Sequence, residues 1–241
     1  GLQILDVGNP ASPVRLGGYD TSGFAGCVAV SGGIAYVADG DAGLQIFDVS
    51  DPTSLVPLGC YISTNGYAEG MAVSGSLAYV ADFNAGLQII DVSNPASPVR
   101  LGGYHSSGNA YGVAVSGTVA YVAVGGGLEV IDVSNPANPV RLGGYGTNWA
   151  ALDVAVSGTF AYLAASEAGL QIIDVTNPAS PVRVGGYDTS GYAYGVAVSG
   201  TVAYVADHYA GLQIIDVSNP ANPVRLGGCD TSWSAIGVAV S

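Results

Sequence analysis

A chain of 241 residues is long enough for one or two domains, and its 49% hydrophobic and only 10% charged residues give a high mean hydropathy of +0.42. The apolar runs are short, however, and cut by Gly, Asp, Ser and Pro, so none approaches the roughly 18 residues that a membrane-spanning helix needs. Eighteen acidic side chains face five basic ones, all arginine, and a net charge of −13 argues against nucleic acid and anionic membranes, which are bound through basic patches.

From Gly1 the chain reads GLQILDVGNPASPVRLGG, and versions of this stretch restart at Gly43, Gly86, Gly127, Gly169 and Gly211, 41 to 43 residues apart. A fixed period of this length means one supersecondary unit copied in tandem, so residues 1–241 are read as a single domain. With no methionine at Gly1 and no signal-like segment, the chain is expected to be a processed or excised piece.

Within one unit the elements follow in order, and residues 187–216 contain a full cycle. GVAVS at Gly195 to Ser199 predicts a first strand, a, rich in small residues. A tight Ser-Gly turn leads to a second strand, b, at Thr201 to Asp207. A short loop precedes a third, c, at Gly211 to Val217, where β-branched residues dominate and both faces are apolar, as expected of a strand covered on both sides. The fourth, d, is PVRLGG at Pro223 to Gly228. All 12 prolines fall in the c-to-d connection, and proline cannot donate to a ladder, so strand d is placed outermost. Strand a, small throughout, is placed nearest an axis where room is scarce.

Four antiparallel strands in about 42 residues, without helical periodicity, describe a β-propeller blade; a β-solenoid would use shorter coils. The core Leu44-Gln45-Ile46-Phe47-Asp48-Val49-Ser50-Asp51-Pro52, repeated with small changes in all copies, and the following VAVSGxxAYVAD segment resemble the LVIVD repeat. The resemblance covers essentially the whole chain. It implies a β-propeller of a kind typical of secreted or surface proteins of bacteria and archaea, with no single assigned chemistry and no catalytic residue to transfer.

The chain starts at strand c and reaches strand a of a further copy, about eleven residues short of six full units. The expectation is an all-β propeller of six blades: five complete, and one shared between the termini and lacking one strand. Strand a at Ile236 to Val240 is then expected near Leu2 to Val7.

One column holds Asp6, Asp48, Asp91, Asp132, Asp174 and Asp216, each followed closely by Asn or Asp and then Pro, a pattern that fixes turns through side-chain to backbone hydrogen bonds. No cofactor is expected. Calcium is the alternative reading of these acids, but the alternating carboxylates of a calcium loop are lacking, and Asp39-Gly40-Asp41 is only a fragment of one. Arg15, Arg100, Arg141, Arg183 and Arg225 fill a column of strand d and are read as solvated or paired with local carboxylates. Cys27, Cys60 and Cys229 are read as buried, unpaired thiols, since Cys27 and Cys60 would lie about 14 Å apart across one blade.

The copies differ in two loop sets. The d-to-a loops are 20–27, 62–70, 105–112, 146–153, 188–195 and 230–237; the b-to-c loops are 39–42, 82–85, 124–126, 165–168 and 208–210. In an up-and-down blade both sets emerge on one face. This face carries ten of the 18 acids, both histidines and no arginine, with many of the aromatics. Because binding residues concentrate on loops of rigid scaffolds, and Trp and Tyr are favoured anchors, the candidate binding residues are Trp149, Trp233, Tyr192, Tyr194, Tyr209, Phe83, Tyr67, Asp153, Glu69 and Asp207.

The expected function is a non-enzymatic binding or adhesion module, extracellular or on the surface of a bacterium or archaeon, engaging a protein or a glycan. The alternative is a structural surface-layer or stalk unit that self-assembles. An enzyme is the third reading: the axial column Cys27, Gly70, Gly112, Asp153, Gly195, Gly237 holds four glycines, His105 and His208 lack ligand-spaced partners, and no P-loop, GxSxG or HExxH occurs.

Overall fold

The computed structural model describes residues 1–240. All regular structure is β. Strands β1 (Leu2–Asp6) and β2 (Val14–Tyr19) form a two-stranded sheet, and five four-stranded blades follow. Blade 1 contains β3 (Cys27–Ser31), β4 (Ile34–Ala38), β5 (Leu44–Asp48) and β6 (Val56–Tyr61). Blade 2 contains β7 (Gly70–Ser74), β8 (Leu77–Ala81), β9 (Leu87–Asp91) and β10 (Val99–Tyr104). Blade 3 contains β11 (Ala110–Ser116), β12 (Val119–Val124), β13 (Gly127–Asp132) and β14 (Val140–Gly146). Blade 4 contains β15 (Asp153–Ser157), β16 (Phe160–Ala164), β17 (Leu170–Asp174) and β18 (Val182–Tyr187). Blade 5 contains β19 (Gly195–Ser199), β20 (Val202–Ala206), β21 (Leu212–Asp216) and β22 (Val224–Cys229).

Every neighbouring pair is antiparallel and the order in each blade is a-b-c-d, so the expected strand sequence holds, with β1 and β2 as strands c and d of a sixth unit. Each c-d pair carries a bulge at the same place; in blade 3 Leu142 is the extra residue between Arg141 and Gly143. A bulge increases local twist, which splays the outer strand from its neighbours.

The core is not central but divided among the gaps between consecutive blades. Tyr79, Ala81, Leu87 and Ile89 of blade 2 close on Val113, Ala120, Val122, Ile131 and Val133 of blade 3, and the same columns repeat between blades 1 and 2, 3 and 4, and 4 and 5. Leu2 of β1 packs in the same way on Ala35, Val37 and Phe47 of blade 1. Strand c is therefore apolar on both faces because each face meets a different blade. Blades lock at a second point: a side chain at Gly59, Gly102, Gly143 or Gly185 would meet a proline carbonyl oxygen of the next blade's turn at 2.1–2.4 Å.

The turns behave as their chemistry requires. The Asp216 carboxylate accepts the Ser218 amide at 2.8 Å and Asn219 Oδ1 accepts that of Ala221 at 3.3 Å, and this pair of Asx turns recurs in every copy. Hydrogen bonds from the Ser50 and Thr176 hydroxyls and then amides hold Asp48 and Asp174 below the usual carboxylate range, and those from the Ser93, Ser134 and Ser218 amides and then hydroxyls do the same for Asp91, Asp132 and Asp216.

Three expectations change. Arg15, Arg100, Arg183 and Arg225 donate to Gln3, Gln88, Gln171 and Gln213 of the adjacent strand c rather than to carboxylates; only Arg141 meets an acid, Glu129, at 3.4 Å, because Glu occupies the glutamine column there. Cys27 is half-buried, but Cys60 and Cys229 are exposed, since they sit on the solvent-facing outer strand; all three are unpaired as expected. Finally, Ile236–Val240 forms no ladder. It lies against blade 5 where an inner strand belongs, with Ile236 O and Gly237 Cα about where a Gly195 side chain would be. An inner strand pairs only with strand b, and among the described residues no strand b lies between it and β1.

Candidate functional site

The two variable loop sets lie on one face and are joined. Backbone bridges link Gly40 to Ala68, Phe83 to Ala110, Ser166 to Ala193 and His208 to Ala235, each tying a b-to-c loop to the d-to-a loop of the next repeat. The first-named residue in each bridge has positive φ: 56° at Gly40, 42° at Phe83, 49° at Ser166 and 50° at His208. Glycine adopts this backbone freely, whereas Phe83, Ser166 and His208 do so under strain that their bridges hold in place.

Three of the acids on this face are internal staples. Asp207 is fully buried and accepts Thr189 Oγ1 at 2.6 Å and the Gly191 amide at 3.0 Å; Asp39 holds Thr21 and Gly23 with the same distances. Asp82, also buried, takes Ser63 and the Tyr67 amide. Asp207 thus fixes the loop that carries Tyr192 and does not itself face outward. The Trp149 loop has no such staple, because Ala165 stands in the column that should hold it, and the Thr147 hydroxyl turns instead to the Trp149 carbonyl; the Thr231 hydroxyl donates likewise to the Trp233 carbonyl.

The position just before the inner glycine column forms a ring. Gly26, Glu69, Tyr111, Leu152, Tyr194 and Ile236 are one column, and all six line an axial cavity of about 730 Å³. Cys27, Asp153, Phe24, Val28, Val238 and Ala239 are among its other lining residues. Glycine recurs one position further on because the inner strands nearly touch; a side chain at Gly70 would meet Tyr111 O at 2.4 Å. In that inner column only Cys27 and Asp153 therefore carry side chains to the cavity. Asp153 accepts the Val154 amide at 2.8 Å and the Val196 amide of blade 5 at 2.9 Å, yet burial outweighs these bonds and pushes its pKa up to about 6. Burial also raises Glu69 and the Cys27 thiol.

The aromatic candidates separate into two clusters and two single residues. Tyr67 and Phe83 are 6.5 Å apart and join Tyr111 at 5.5 Å, edge to face. Tyr192, Tyr194 and Tyr209 surround His208, whose ring stacks on Tyr194 at 5.0 Å. Trp149 and Trp233 stand apart on the rim, the latter 86% exposed and Tyr209 79% exposed. Phe24, Tyr111 and His208 were not among the sequence candidates. The variable column before the inner glycine was the signal that could have found Tyr111, alongside Glu69 and Tyr194. Among the described residues no three His, Cys, Asp or Glu side chains gather around a common metal position.

This arrangement offers carboxylates and aromatic faces around a cavity with no lysine or arginine in its lining. Its chemistry suits a cationic or hydroxyl-bearing group seated against apolar rings.

The fold is shared with solved propellers. A protein from Lactobacillus plantarum superimposes with a TM-score of 0.82 at 15% identity, covering 95% of this chain and 77% of that one. A chain of the Mitotic Checkpoint Complex gives 0.77 at 13% identity over 97% of this chain and 75% of that chain. The β-propeller domain of Myceliophteria thermophila Cps50 (Swd1) gives 0.69 at 14% identity, covering 88% and 73%. No curated protein matches the chain. The repeat described as LVIVD matches residues 1–21, 22–62, 65–106, 107–147, 150–189 and 190–231, with the period of the copies found in the sequence but with units that follow the β1-β2 sheet and the five blades, and the chain belongs to the LVIVD repeat family.

Proposed function

We propose that this propeller is a non-enzymatic binding module of the extracellular space or the cell surface, and that it engages a protein or glycan partner through the loop face, centred on the axial cavity. The observation that carries the reading is the ring of Glu69, Tyr111 and Tyr194, with Asp153 beneath, around a cavity of about 730 Å³. The expected partner presents a lysine or arginine side chain, or a sugar, to the carboxylates, with aromatic stacking from Tyr194 and Phe24. Trp149, Trp233 and Tyr209 on the rim supply the exposed anchors typical of recognition surfaces. Strain at Phe83, Ser166 and His208 on the same face supports the reading, since strained backbone gathers at functional sites.

The test is a screen of the protein against a peptide-display library and a glycan array, followed by titration of the hits against variants. Glu69→Gln and Tyr194→Ala should each weaken binding at least tenfold, and Trp149→Ala together with Trp233→Ala several-fold, with unchanged melting temperature. Hits that bind all these variants as tightly as the parent would place recognition elsewhere on the molecule.

A further inference from the structure

Blade 3 departs from the other blades at one turn, where several columns change together. It stands between blades 2 and 4, away from the seam at which β1 and blade 5 each leave one face uncovered. In blades 1, 2 and 5 the residue after strand b is the staple Asp39, Asp82 or Asp207. Blade 3 has Val124 in that column, a turn one residue shorter, and Glu129 where every other copy has glutamine. The Ser106 hydroxyl, in the column of Thr21 and Thr189, has no staple carboxylate to serve and donates to Gly108 O at 2.5 Å.

The glutamines show what the substitution removes. Gln45, Gln88, Gln171 and Gln213 each donate Nε2 to the carbonyl three residues back, at 2.5–2.8 Å. Where an arginine lies opposite, as at Gln88 and Gln213, Oε1 accepts its Nε. Glu129 keeps that second contact through Oε1, with Arg141 Nε at 3.4 Å, so Oε2 takes the place of the amide nitrogen toward the Gly126 carbonyl. A carboxylate has no N–H to give there. Glu129 is 2% exposed, and its Oε2 has no hydrogen-bond partner among the described residues. Oε1 has one further contact, also long, from the Ser107 amide at 3.3 Å. Burying a charge received so poorly is costly, and such a group calls for a donor or an ion. Space for one lies beside it. The methyls of Ala42 and Ala210 pack against Gly23 and Gly191, whereas Gly126 stands in their column and a side chain on it would meet nothing within 4 Å.

We propose that Glu129 Oε2 and the Gly126 carbonyl form a site for one alkali-metal ion, at the turn of blade 3 and separate from the axial cavity. Hard cations are received by carboxylates, main-chain carbonyls and water, which are the ligands this turn offers. The charge count selects a monovalent ion. Glu129 is the one carboxylate supplied, and Arg141 already offsets part of its charge, whereas tight divalent sites gather several carboxylates. The open side of Gly126 admits the ion with its remaining waters. The ion does the work of the glutamine N–H in the other blades, tying strand c to the turn before it. Gly126 O also accepts the Thr147 amide at 3.0 Å, so the same ion steadies the start of the loop that carries Trp149.

The probes are NaCl and KCl, each compared with N-methylglucamine chloride at the same ionic strength so that screening is constant. An ion that binds only the folded state raises its melting temperature with concentration. NaCl or KCl should therefore raise that of the parent by several degrees along a one-site curve, and slow amide exchange in residues 125–129 several-fold. Glu129→Gln restores the residue of the other five copies, so it should fold normally, lose the ion response and melt above the parent in N-methylglucamine chloride. Any effect of the reference cation elsewhere on the molecule is common to both proteins and cancels in their difference. Glu167→Gln, at an exposed acid of the neighbouring turn, and Tyr194→Ala at the axial cavity should keep the full response. An equal response in Glu129→Gln would overturn the proposal, as would a parent that responds to neither salt, which would mean that water alone serves Oε2. A response to CaCl2 that Glu129→Gln abolishes, with none to the alkali salts, would also overturn it, in favour of a divalent ion.

Discussion

Ionisation of Asp153 puts a negative charge against the inner strands of blades 4 and 5, with only two backbone amides to receive it. Its pKa is raised from 3.8 to about 6, so the folded state holds the proton over a range where the unfolded chain has released it. The associated stability is complete below about pH 4 and is lost as pH rises through about 6. The exposed turn aspartates, held below 3.8, act in the opposite sense and lose their contribution only as pH falls below that value. Burial raises Glu69, Asp82 and Asp207 in the same sense, so the contribution of Asp153 is read from the difference between two melting series over pH 4.5 to 7.5: the parent should lose stability relative to Asp153→Asn as pH rises, and parallel curves would refute the assignment. A second residue-scale expectation concerns Thr189, whose hydroxyl serves buried Asp207. Thr189→Val removes a charge-assisted hydrogen bond, costs about 1–3 kcal/mol by thermal or chemical unfolding, and loosens the loop bearing Tyr192. Asp207 and Asp153 both belong to the acidic variable face in the sequence. The axial column already sets Asp153 apart, but only the fold shows that Asp207 is consumed by Thr189 and Gly191, because that depends on how neighbouring loops cross.

At the level of strands and blades, glycine reports where elements touch. Gly102 and Gly227 occupy the same column, and neither has a positive φ. A side chain at Gly102 would lie 2.3 Å from Pro136 O, whereas at Gly227 it would meet nothing within 4 Å. Gly102→Ala should therefore destabilise by about 1–3 kcal/mol through overpacking, and Gly227→Ala should be within about 0.5 kcal/mol of the parent, as judged by chemical unfolding. Equal effects would mean that the blade 5 edge is packed in solution. Most elements were legible because period, proline position and alternation agree with one another: the four strands of residues 195–229 fall within a residue or two of their expected bounds. Ile236–Val240 was not, and the reason is instructive. Gly195–Val198 and Gly237–Val240 share the sequence GVAV, yet only the first is a strand. A strand is a property of a pair, and its partner is not encoded in its own residues.

Over the whole molecule, stability is distributed rather than pooled, because each hydrophobic cluster belongs to a gap between two neighbouring units. Such a chain resembles a stack in which every unit is supported by its neighbours. Blades 2, 3 and 4 are covered on both faces, with Ile89, Val130 and Ile172 wholly buried, whereas β1 and blade 5 each leave one face at the seam. Opening should therefore begin there and spread inward, which sets a gradient of local stability. Hydrogen exchange read by mass spectrometry should show β1, β2 and residues 230–240 exchanging first, blade 5 next, and the central strands of blade 3 last, with at least a hundredfold range in protection. Uniform protection around the ring would instead mean that the two walls of the seam meet in solution and the disc unfolds as one unit.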